Sequence, residues 1–204
     1  MNNEIKEILI ATVNRGKAEE IKEIFKGTDY KLRFLFEFSE KIKIEENAGS
    51  FAGNALIKAT VAGDALKMIT LGDDTGLVIP ALDGRPGIHS SRYAGTGRDE
   101  DNIKKVLEEM KTVPLEKRNC YYHSTVAVYD PVTKFVKTVD GVWEGKVALE
   151  PRGEKSFGYA PIFLAKDFNF TKTNAECGPR ELIKINHRGK AFKKAIRILD
   201  EYLA

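Results

Sequence analysis

The sequence has only two cysteines, Cys120 and Cys177, which lie far apart in its 204 residues. Two distant cysteines make neither a disulfide framework nor the paired spacing of a zinc site, so we expect a reducing, cytoplasmic location. The chain also lacks a hydrophobic run long enough to cross a bilayer, and the apolar segment near its N-terminus is too short for a signal peptide. We therefore expect no membrane partner.

A strong charge of one sign is missing too, because 33 basic residues nearly balance 30 acidic ones and leave a formal net charge of +3. Such a chain does not favour a surface for nucleic acid, although one local basic pocket is compatible with this charge. Repeats, low-complexity tracts and linkers are absent as well. The sequence therefore predicts a single domain over residues 1–204, with room for two closely joined lobes and a substantial core.

Hydrophobic periodicity predicts both strands and helices in this chain. The predicted strands are Ile5–Thr12, Lys31–Phe36, Cys120–Tyr129, its hairpin partner Lys134–Trp143 and a short strand at Gly145–Leu149. The predicted helices are Ala18–Phe25, Ser50–Leu66, Asp99–Met110 and a closing helix through Phe192 and Leu203. These elements serve to locate the polar motifs of the chain.

The segment Leu71–Gly95 carries two adjacent carboxylates, Asp73 and Asp74, between a short apolar run and Thr75-Gly76. We expect these carboxylates at the end of a strand, before a glycine turn, where the edge of a sheet holds them rigidly. One or two carboxylates, together with substrate phosphates, are the usual ligands of hydrated Mg²⁺. The same residue types also form ordinary turns for backbone reasons, so the motif alone leaves both interpretations open.

A second motif, Thr12–Lys17, joins the first predicted strand to the first predicted helix. Free N–H groups and the helix dipole make such a place suitable for anions. Lys17 adds a point charge, Thr12 and Asn14 add neutral donors, and Arg15-Gly16 complete the turn. The second glycine and the Lys-Ser/Thr pair of a Walker A loop are missing, and an ordinary β-to-α turn remains the alternative.

Three further polar groups are candidates, each with a structural alternative. Glu45-Glu46 is either part of a site or a solvated turn, and Asn54 with Lys58 share a helix face that points into a cleft or to solvent. The loop Phe157–Tyr159 carries two aromatic residues around a glycine, which form a slot for a planar ring or a turn in the core. His187 and Arg188 begin the closing helix, another place suited to anions.

Five motifs of this chain resemble, in order and spacing, those of the inosine triphosphate pyrophosphatase family, the non-canonical purine nucleoside triphosphate pyrophosphatases. They are ATVNRGKAEE, EENAGSFAGNALIKA, DDTGLVIPALDGRPGIHSSRYAG, EPRGEKSFGYAPIF and INHRGKA, and they span residues from about 11 to 191. The resemblance implies an α/β fold with an elongated mixed β-sheet flanked by helices, and two lobes around a central nucleotide cleft. It also implies a homodimer.

The resemblance implies that a nucleoside triphosphate is cleaved between its α- and β-phosphates, with Mg²⁺, to a monophosphate and pyrophosphate. Thr12, Asn14, Arg15, Gly16 and Lys17 would hold the phosphates, with Asn54 and Lys58 reaching them from their helix and Thr75 replacing the usual Ser. Glu45 and Asp74 would bind the metal, with Asp73 as a further ligand. Asp74 would also orient or deprotonate the attacking water. Phe157, Gly158, Tyr159 and Ala160, with His187 and Arg188, would form the base pocket.

Three positions of that base pocket depart from the family pattern. Ala160 stands where the family has Asp, through natural divergence or an engineered change, Leu182 stands where it has Lys, and Asn186 stands where it has Ser. A purine with an N1–H donor and an O6 acceptor finds no partner in Ala160 or Leu182, while Lys184 lies two residues from the missing Lys. We therefore expect turnover of inosine- or xanthosine-type triphosphates, ribo or deoxyribo, with an altered base preference as one alternative. A non-catalytic nucleotide-binding relative is the other, and the retained acidic residues Glu45, Asp73 and Asp74 argue against it.

Overall fold

The computed structural model describes residues 6–39, 41–153 and 157–204. Its strands are β1 (Lys6–Ile10), β2 (Tyr30–Phe34), β3 (Thr70–Val78), β4 (Asn119–Tyr129), β5 (Val136–Val147) and β6 (Phe163–Ala165). Its α-helices are α1 (Arg15–Ile24), α2 (Phe51–Leu66), α3 (Asp99–Glu109), α4 (Pro179–Ile185) and α5 (His187–Leu203). Ile5 of the first predicted strand and residues 154–156 of the fourth motif lie outside the described residues.

The strands form one six-stranded sheet in the order β2-β1-β3-β4-β5-β6. β1 pairs in parallel with β2 and with β3, whereas β5 and β6 are antiparallel. A mixed sheet with helices is the α/β fold that the resemblance implied, so this prediction is confirmed. Among the described residues, no helix is both long and apolar enough to cross a membrane.

The chain divides into two compact units, and β3, β4 and β5 contribute residues to both. The first unit comprises Met1–Asp74, Ser124–Gly141 and Arg188–Ala204, and the second comprises Thr75–His123 and Val142–His187. In the first unit, apolar residues of β1 and β2 and one face of α1 are buried with the closing helix α5. That core includes Ile8, Ile10, Ile21, Phe34, Leu71 and Phe192.

The second unit has its own core, in which Trp143 and Phe163 pack with ring centroids 4.8 Å apart. Arg118 is buried there and donates to backbone carbonyls, with 2.7 Å to the oxygen of Met110 and 3.0 Å to that of Val147. Met110 follows the last residue of α3, so the guanidinium satisfies an acceptor that a helix end leaves without an intrahelical partner. The buried cation therefore holds the end of α3 to the segment around β5.

Strand β3 corrects the expectation of a strand end and a glycine turn at the paired aspartates. It runs unbroken from Thr70 to Val78 and carries both carboxylates at its middle. A Cβ added at Gly72 would lie 2.2 Å from the carbonyl oxygen of Ala55 and 2.7 Å from the nitrogen of Ala59, both in α2. Gly72 therefore permits a close approach of β3 to α2, which is a common reason for glycine inside a strand.

The hairpin of β4 and β5 shows a second difference. The predicted separate strand at Gly145–Leu149 is wrong, because β5 continues without interruption to Val147. Gly145 lies inside this strand, where an added Cβ would be 2.6 Å from the carbonyl oxygen of Leu164 in the neighbouring β6. As at Gly72, the glycine allows a close approach and does not interrupt the strand.

Candidate active site

The turn between β1 and α1 is built from its own polar side chains. Asn14 is the N-cap of α1, and its Oδ1 accepts the backbone N–H of Lys17 at 3.0 Å. The Oγ1 of Thr12 accepts the N–H of Asn14 at 3.2 Å. Gly16 already lies in the first turn of the helix, and the guanidinium of Arg15 stacks 3.8 Å from the ring centroid of Phe36. The cap positions Lys17 in the first turn of α1.

The two aspartates of β3 have different partners. The Oδ2 atom of Asp73 accepts from the ammonium of Lys17 at 2.7 Å, and its Oδ1 accepts from the hydroxyl of Ser124 at 2.7 Å. The Oδ1 atom of Asp74 accepts from the ammonium of Lys58 at 2.8 Å, and its Oδ2 accepts from the amide of Asn54 at 3.2 Å. Consecutive strand residues point to opposite faces, which separates the two sets of partners.

Helix α2 supplies Asn54 and Lys58 from one face, as the spacing of four residues requires. Ser50 begins the helix as N-cap by accepting the N–H of Gly53 at 3.1 Å. Asn54 is fully buried, and the side chain of Lys58 is only 11% exposed. Both therefore face β3 and not solvent, which decides between the two orientations that the sequence left open.

The two glutamates before α2, Glu45 and Glu46, also have different partners. The carboxylate of Glu46 lies 2.7 Å from the ammonium of Lys58, whereas that of Glu45 lies 2.6 Å from Lys43. The Glu45–Lys43 pair is on the surface, and both side chains are mostly exposed. Lys58 therefore lies between two carboxylates, those of Glu46 and Asp74.

Burial and charge shift the proton affinities of the two aspartates in opposite directions. Burial alone would raise the pKa of Asp73, but the positive charges of Lys17 and Arg188 outweigh it and hold the pKa well below its ordinary value. Burial has the larger effect on Asp74, whose pKa is raised although Lys58 and Asn54 oppose the shift. Because a carboxylate with a raised pKa accepts protons more readily, Asp74 is the better suited of the two as a general base.

The lysines differ as well. Burial lowers the pKa of Lys17, and the neighbouring positive charges of Arg188 and Lys58 act in the same direction against Asp73. Burial also acts to lower the pKa of Lys58, but the carboxylates of Asp74 and Glu46 outweigh it, so the net shift is upward. The ammonium groups of Lys17 and Lys58 thus lie beside two consecutive residues, Asp73 and Asp74, in a largely buried environment. Electrostatic interactions there are stronger than in water.

Arg188 was expected in the base pocket, and its guanidinium lies in the same buried cluster as Asp73. Its Nε is 3.5 Å from Asp73 Oδ2, and its Nη1 donates to the carboxylate of Glu20. Sequence reasoning offered Glu46 as a candidate together with Glu45 but assigned a role to Glu45 alone, and it missed Glu20 and Ser124 as members of this site. Glu20 had one available signal, since it lies three residues after Lys17 on the same helix face. Ser124 had none.

The loop after residue 156 uses its two aromatic residues differently. Phe157 is 40% exposed, whereas Tyr159 is 3% exposed and donates its hydroxyl to the carbonyl of Ser90 at 2.8 Å. Gly158 has a φ of +63°, and its N–H donates to Asp99 Oδ2 at 2.7 Å. Tyr159 therefore anchors the loop in the core of the second unit, and Phe157 is the exposed ring.

The remaining positions that were expected to form the base pocket are buried. Ala160, Leu182 and Asn186 are all less than 10% exposed, and Leu182 belongs to the apolar core of the second unit. The ring of His187 stacks on Tyr122 with centroids 4.5 Å apart. Thr75, which was expected to contact the phosphates and not the base, lies in β3 directly after Asp74 and is half-buried. The departures from the family pattern are therefore apolar or neutral side chains in a well-packed region.

The part of the chain that the structure describes holds no group of three or more His, Cys, Asp or Glu side chains arranged for a metal ion. The carboxylates of Asp74 and Glu45 nevertheless offer the oxygen ligands that Mg²⁺ prefers, and Glu45 is exposed, with a surface pair to Lys43 that is easily broken. Magnesium takes one or two carboxylates and completes its shell with water and phosphate oxygens. Asp73 fits less well, because its side chain is fully buried and one of its oxygens is shared by the two cations Lys17 and Arg188.

Comparison with known proteins identifies relatives of this chain. The model of the Ham1 family matches residues 8–198. A dITP/XTP pyrophosphatase of Bacillus subtilis is 43% identical over 197 residues, covering 96% of this chain and 98% of the relative. Another from Geobacillus kaustophilus is 41% identical, covering 97% of this chain and 94% of the relative.

Solved structures agree with the sequence relatives. A Ham1 protein from Coxiella burnetii superposes with a TM-score of 0.85 at 37% identity, covering 96% of this chain and 99% of the other. The Ham1 protein of Staphylococcus aureus superposes with a TM-score of 0.84 at 33% identity, covering 97% and 100%. The family model, the full-length relatives and the shared fold lead to one conclusion: this chain belongs to the Ham1 family.

Proposed function

We propose that this protein hydrolyses non-canonical purine nucleoside triphosphates, of the inosine or xanthosine type, to the monophosphate and pyrophosphate. The relatives named dITP/XTP pyrophosphatase support this activity, since they match nearly the whole chain. The observation that carries the proposal is that an ammonium lies beside each aspartate of β3, with Lys17 close enough for its charge to act on both Lys58 and Asp74. This arrangement combines cations for phosphate with a carboxylate base.

The lysines bind and orient the triphosphate. A triphosphate carries several negative charges, and in-line attack of water at phosphorus develops further charge on the non-bridging oxygens. The ammonium groups of Lys17 and Lys58 donate to those oxygens and stabilise the charge where it develops. Asn54 keeps Asp74 oriented through its amide, and Asp74 accepts the proton of the attacking water.

We further propose Mg²⁺ as the cofactor, held by Asp74 and Glu45. When bound, the ion neutralises phosphate charge and acidifies a coordinated water. Glu45 can turn toward the metal at a small cost in free energy, because its exposed ion pair with Lys43 contributes little to stability. Glu46, in contrast, is bonded to the mostly buried Lys58. Glu46 then stays with Lys58 and keeps that ammonium in place.

A panel of nucleoside triphosphates, assayed separately for pyrophosphate and for orthophosphate, tests the activity. We expect pyrophosphate from dITP, ITP and XTP with Mg²⁺, and a loss of at least about a hundredfold in kcat for Asp74→Asn. Orthophosphate as the product, or no turnover of any nucleotide, would contradict the hydrolase. Tight nucleotide binding without turnover would instead indicate a non-catalytic relative.

A second candidate is the same reaction with an altered base preference, and the apolar side chains at positions 160 and 182 favour it. Neither side chain offers a hydrogen bond to N1–H or O6, and a site that lacks such a partner discriminates less between bases. The ratio of kcat/KM for dITP to that for dATP measures this. We expect Leu182→Lys to raise the ratio by about tenfold or more, and an unchanged ratio in a folded variant would remove Leu182 from the argument.

We also propose that the protein acts as a homodimer, which the family resemblance implies. Sedimentation equilibrium should then give twice the mass of a single chain. A monomer at the concentration of the activity assay would contradict this proposal without affecting the hydrolase.

A further inference from the structure

The buried charges of the first unit form an alternating series. The carboxylate of Glu20 binds Arg188, Arg188 lies against Asp73, and Asp73 binds Lys17. The side chains of Asp73 and Arg188 are 0% and 3% exposed. Two acidic and two basic groups therefore balance each other in a region from which water is largely excluded.

A single oxygen atom, Asp73 Oδ2, contacts both cations of this series. Asp73 Oδ2 is 2.7 Å from the ammonium of Lys17 and 3.5 Å from Arg188 Nε, so both cations share the same oxygen. The other oxygen accepts from Ser124 at 2.7 Å. A metal ion bound at Asp73 Oδ2 would compete with both cations for that oxygen and displace at least one of them. An unpaired buried cation is strongly unfavourable, so this exchange is costly.

Glu20 provides the second negative charge of the series and lies on the same helix as Lys17. Its side chain is 21% exposed and faces Arg188, whereas that of the adjacent Glu19 is 73% exposed and pairs with Lys22. Positions 17 and 20 are three apart and share a face of α1. The helix thus presents one cation and one anion to the cluster, and Asp73 and Arg188 bridge them.

We propose that Asp73 and Glu20 are positioning residues, which fix the ammonium of Lys17 and the guanidinium of Arg188, and that Asp73 is not a metal ligand. The inference rests on the proposed function, in which Lys17 binds the phosphates. Asp73 acts on the reaction through Lys17, whereas Asp74 acts on the water and the metal. Two adjacent aspartates therefore have separable effects.

Metal binding without nucleotide tests the first part. Free Mn²⁺ is measured by electron paramagnetic resonance in titrations of the wild type, Asp73→Asn and Asp74→Asn. Both substitutions remove one negative charge from neighbouring positions, so a difference between them reports ligation. We expect the Mn²⁺ dissociation constant to rise about tenfold or more in Asp74→Asn and less than threefold in Asp73→Asn. An equal loss in both variants would show that Asp73 is a ligand. This measurement does not depend on turnover.

A double-mutant cycle in kcat/KM tests the second part. Asp73→Asn and Lys17→Gln should each lower kcat/KM by about ten- to a hundredfold, and the double variant should be no worse than the worse single variant, because both changes act through the same ammonium. Losses that multiply would show that Asp73 acts independently of Lys17 and would overturn the proposal.

If the wild type releases no pyrophosphate, the proposed function fails and the Mn²⁺ titration still decides whether Asp73 is a ligand.

Asp73→Asn leaves two buried cations short of a counter-ion and could fail to fold. Glu20→Gln then takes its place in the cycle with Lys17→Gln, and Glu19→Gln serves as the matched control. We expect Glu20→Gln to lower kcat/KM about tenfold, non-additively with Lys17→Gln, and Glu19→Gln to change it less than twofold. Equal effects of Glu19→Gln and Glu20→Gln, or additive effects in the cycle, would contradict a positioning role.

Discussion

At the scale of single residues, adjacent acidic side chains in this protein do different things. Asp73 and Asp74 are neighbours in a strand and therefore point to opposite faces, one to Lys17 and the other to Lys58. Glu45 and Glu46 are divided too, since Lys43 binds one and Lys58 the other. Paired acidic residues in the sequence thus indicate a charged site but not a shared ligand set.

This division predicts different kinetic effects for the two glutamates. Glu45→Gln should raise the Mg²⁺ concentration for half-maximal rate about tenfold, because it removes a proposed ligand. Glu46→Gln should raise KM for the nucleotide severalfold and change the Mg²⁺ requirement less than twofold, because it releases Lys58. Steady-state rates over a grid of Mg²⁺ and nucleotide concentrations separate the two effects. The reverse pattern would transfer the ligand role to Glu46.

At the scale of elements, the site depends on how closely β3 and α2 approach. Gly72 lies one residue before Asp73, and Ala55 and Ala59 lie on the α2 face that also carries Asn54 and Lys58. Small residues on both elements bring the backbone of the helix against the strand. Without that approach, the side chains of Asn54 and Lys58 would not reach Asp74.

Gly72→Ala should therefore destabilise the protein and disturb the site. The added Cβ would meet backbone atoms of α2 at 2.2 and 2.7 Å, which no change of rotamer relieves. We expect a loss of about 3 kcal/mol in the free energy of unfolding, measured by urea denaturation. Gly178→Ala is the control, because a Cβ there meets nothing within 4 Å, and it should change the stability by less than about 1 kcal/mol. Equal stabilities of the two variants would contradict the close-approach argument.

At the scale of the whole molecule, buried tyrosines set a limit on alkaline stability. Burial raises the pKa of Tyr93 to about 12, and the carboxylate of Glu109 adds to the shift. Burial also raises the pKa of Tyr159, far above its ordinary value. The folded state therefore holds protons that the unfolded chain releases near pH 10. By linkage, this contribution is fully present below pH 10 and is lost as the pH rises through the folded-state values.

The free energy of unfolding should consequently be steady between about pH 7 and 9 and should fall above about pH 10. Urea denaturation at a series of pH values measures this slope. The double variant Tyr93→Phe, Tyr159→Phe should show a shallower fall, because neither ring then carries a titrating hydroxyl. An identical slope in the variant and the wild type would assign the alkaline loss to other groups.

The sequence by itself predicted the strands β1, β2, β4 and β5 and the helices α1, α2, α3 and α5, but neither β6 nor α4. It also indicated most of the charged residues of the site. Hydrophobic periodicity and caps are local properties, so Ser50 and the apolar face of α2 predicted that helix correctly. The same local reasoning was wrong after Asp74, where Gly76 looks like a turn residue but lies inside β3, with the space for a Cβ taken by the carbonyl oxygen of Gly87 at 2.1 Å. A single sequence does not show which backbone approaches a glycine.

Only the tertiary structure decided which charges meet. Ser124 reaches Asp73 across 51 positions, and Arg188 reaches Glu20 across 168. No periodicity or spacing rule extends over such separations, because these contacts result from the order of strands in the sheet and the packing of α5 on the first unit's core. The sequence therefore specified an acidic and basic site, and the fold decided which aspartate is held by Lys17 and which is left beside Lys58 and Asn54.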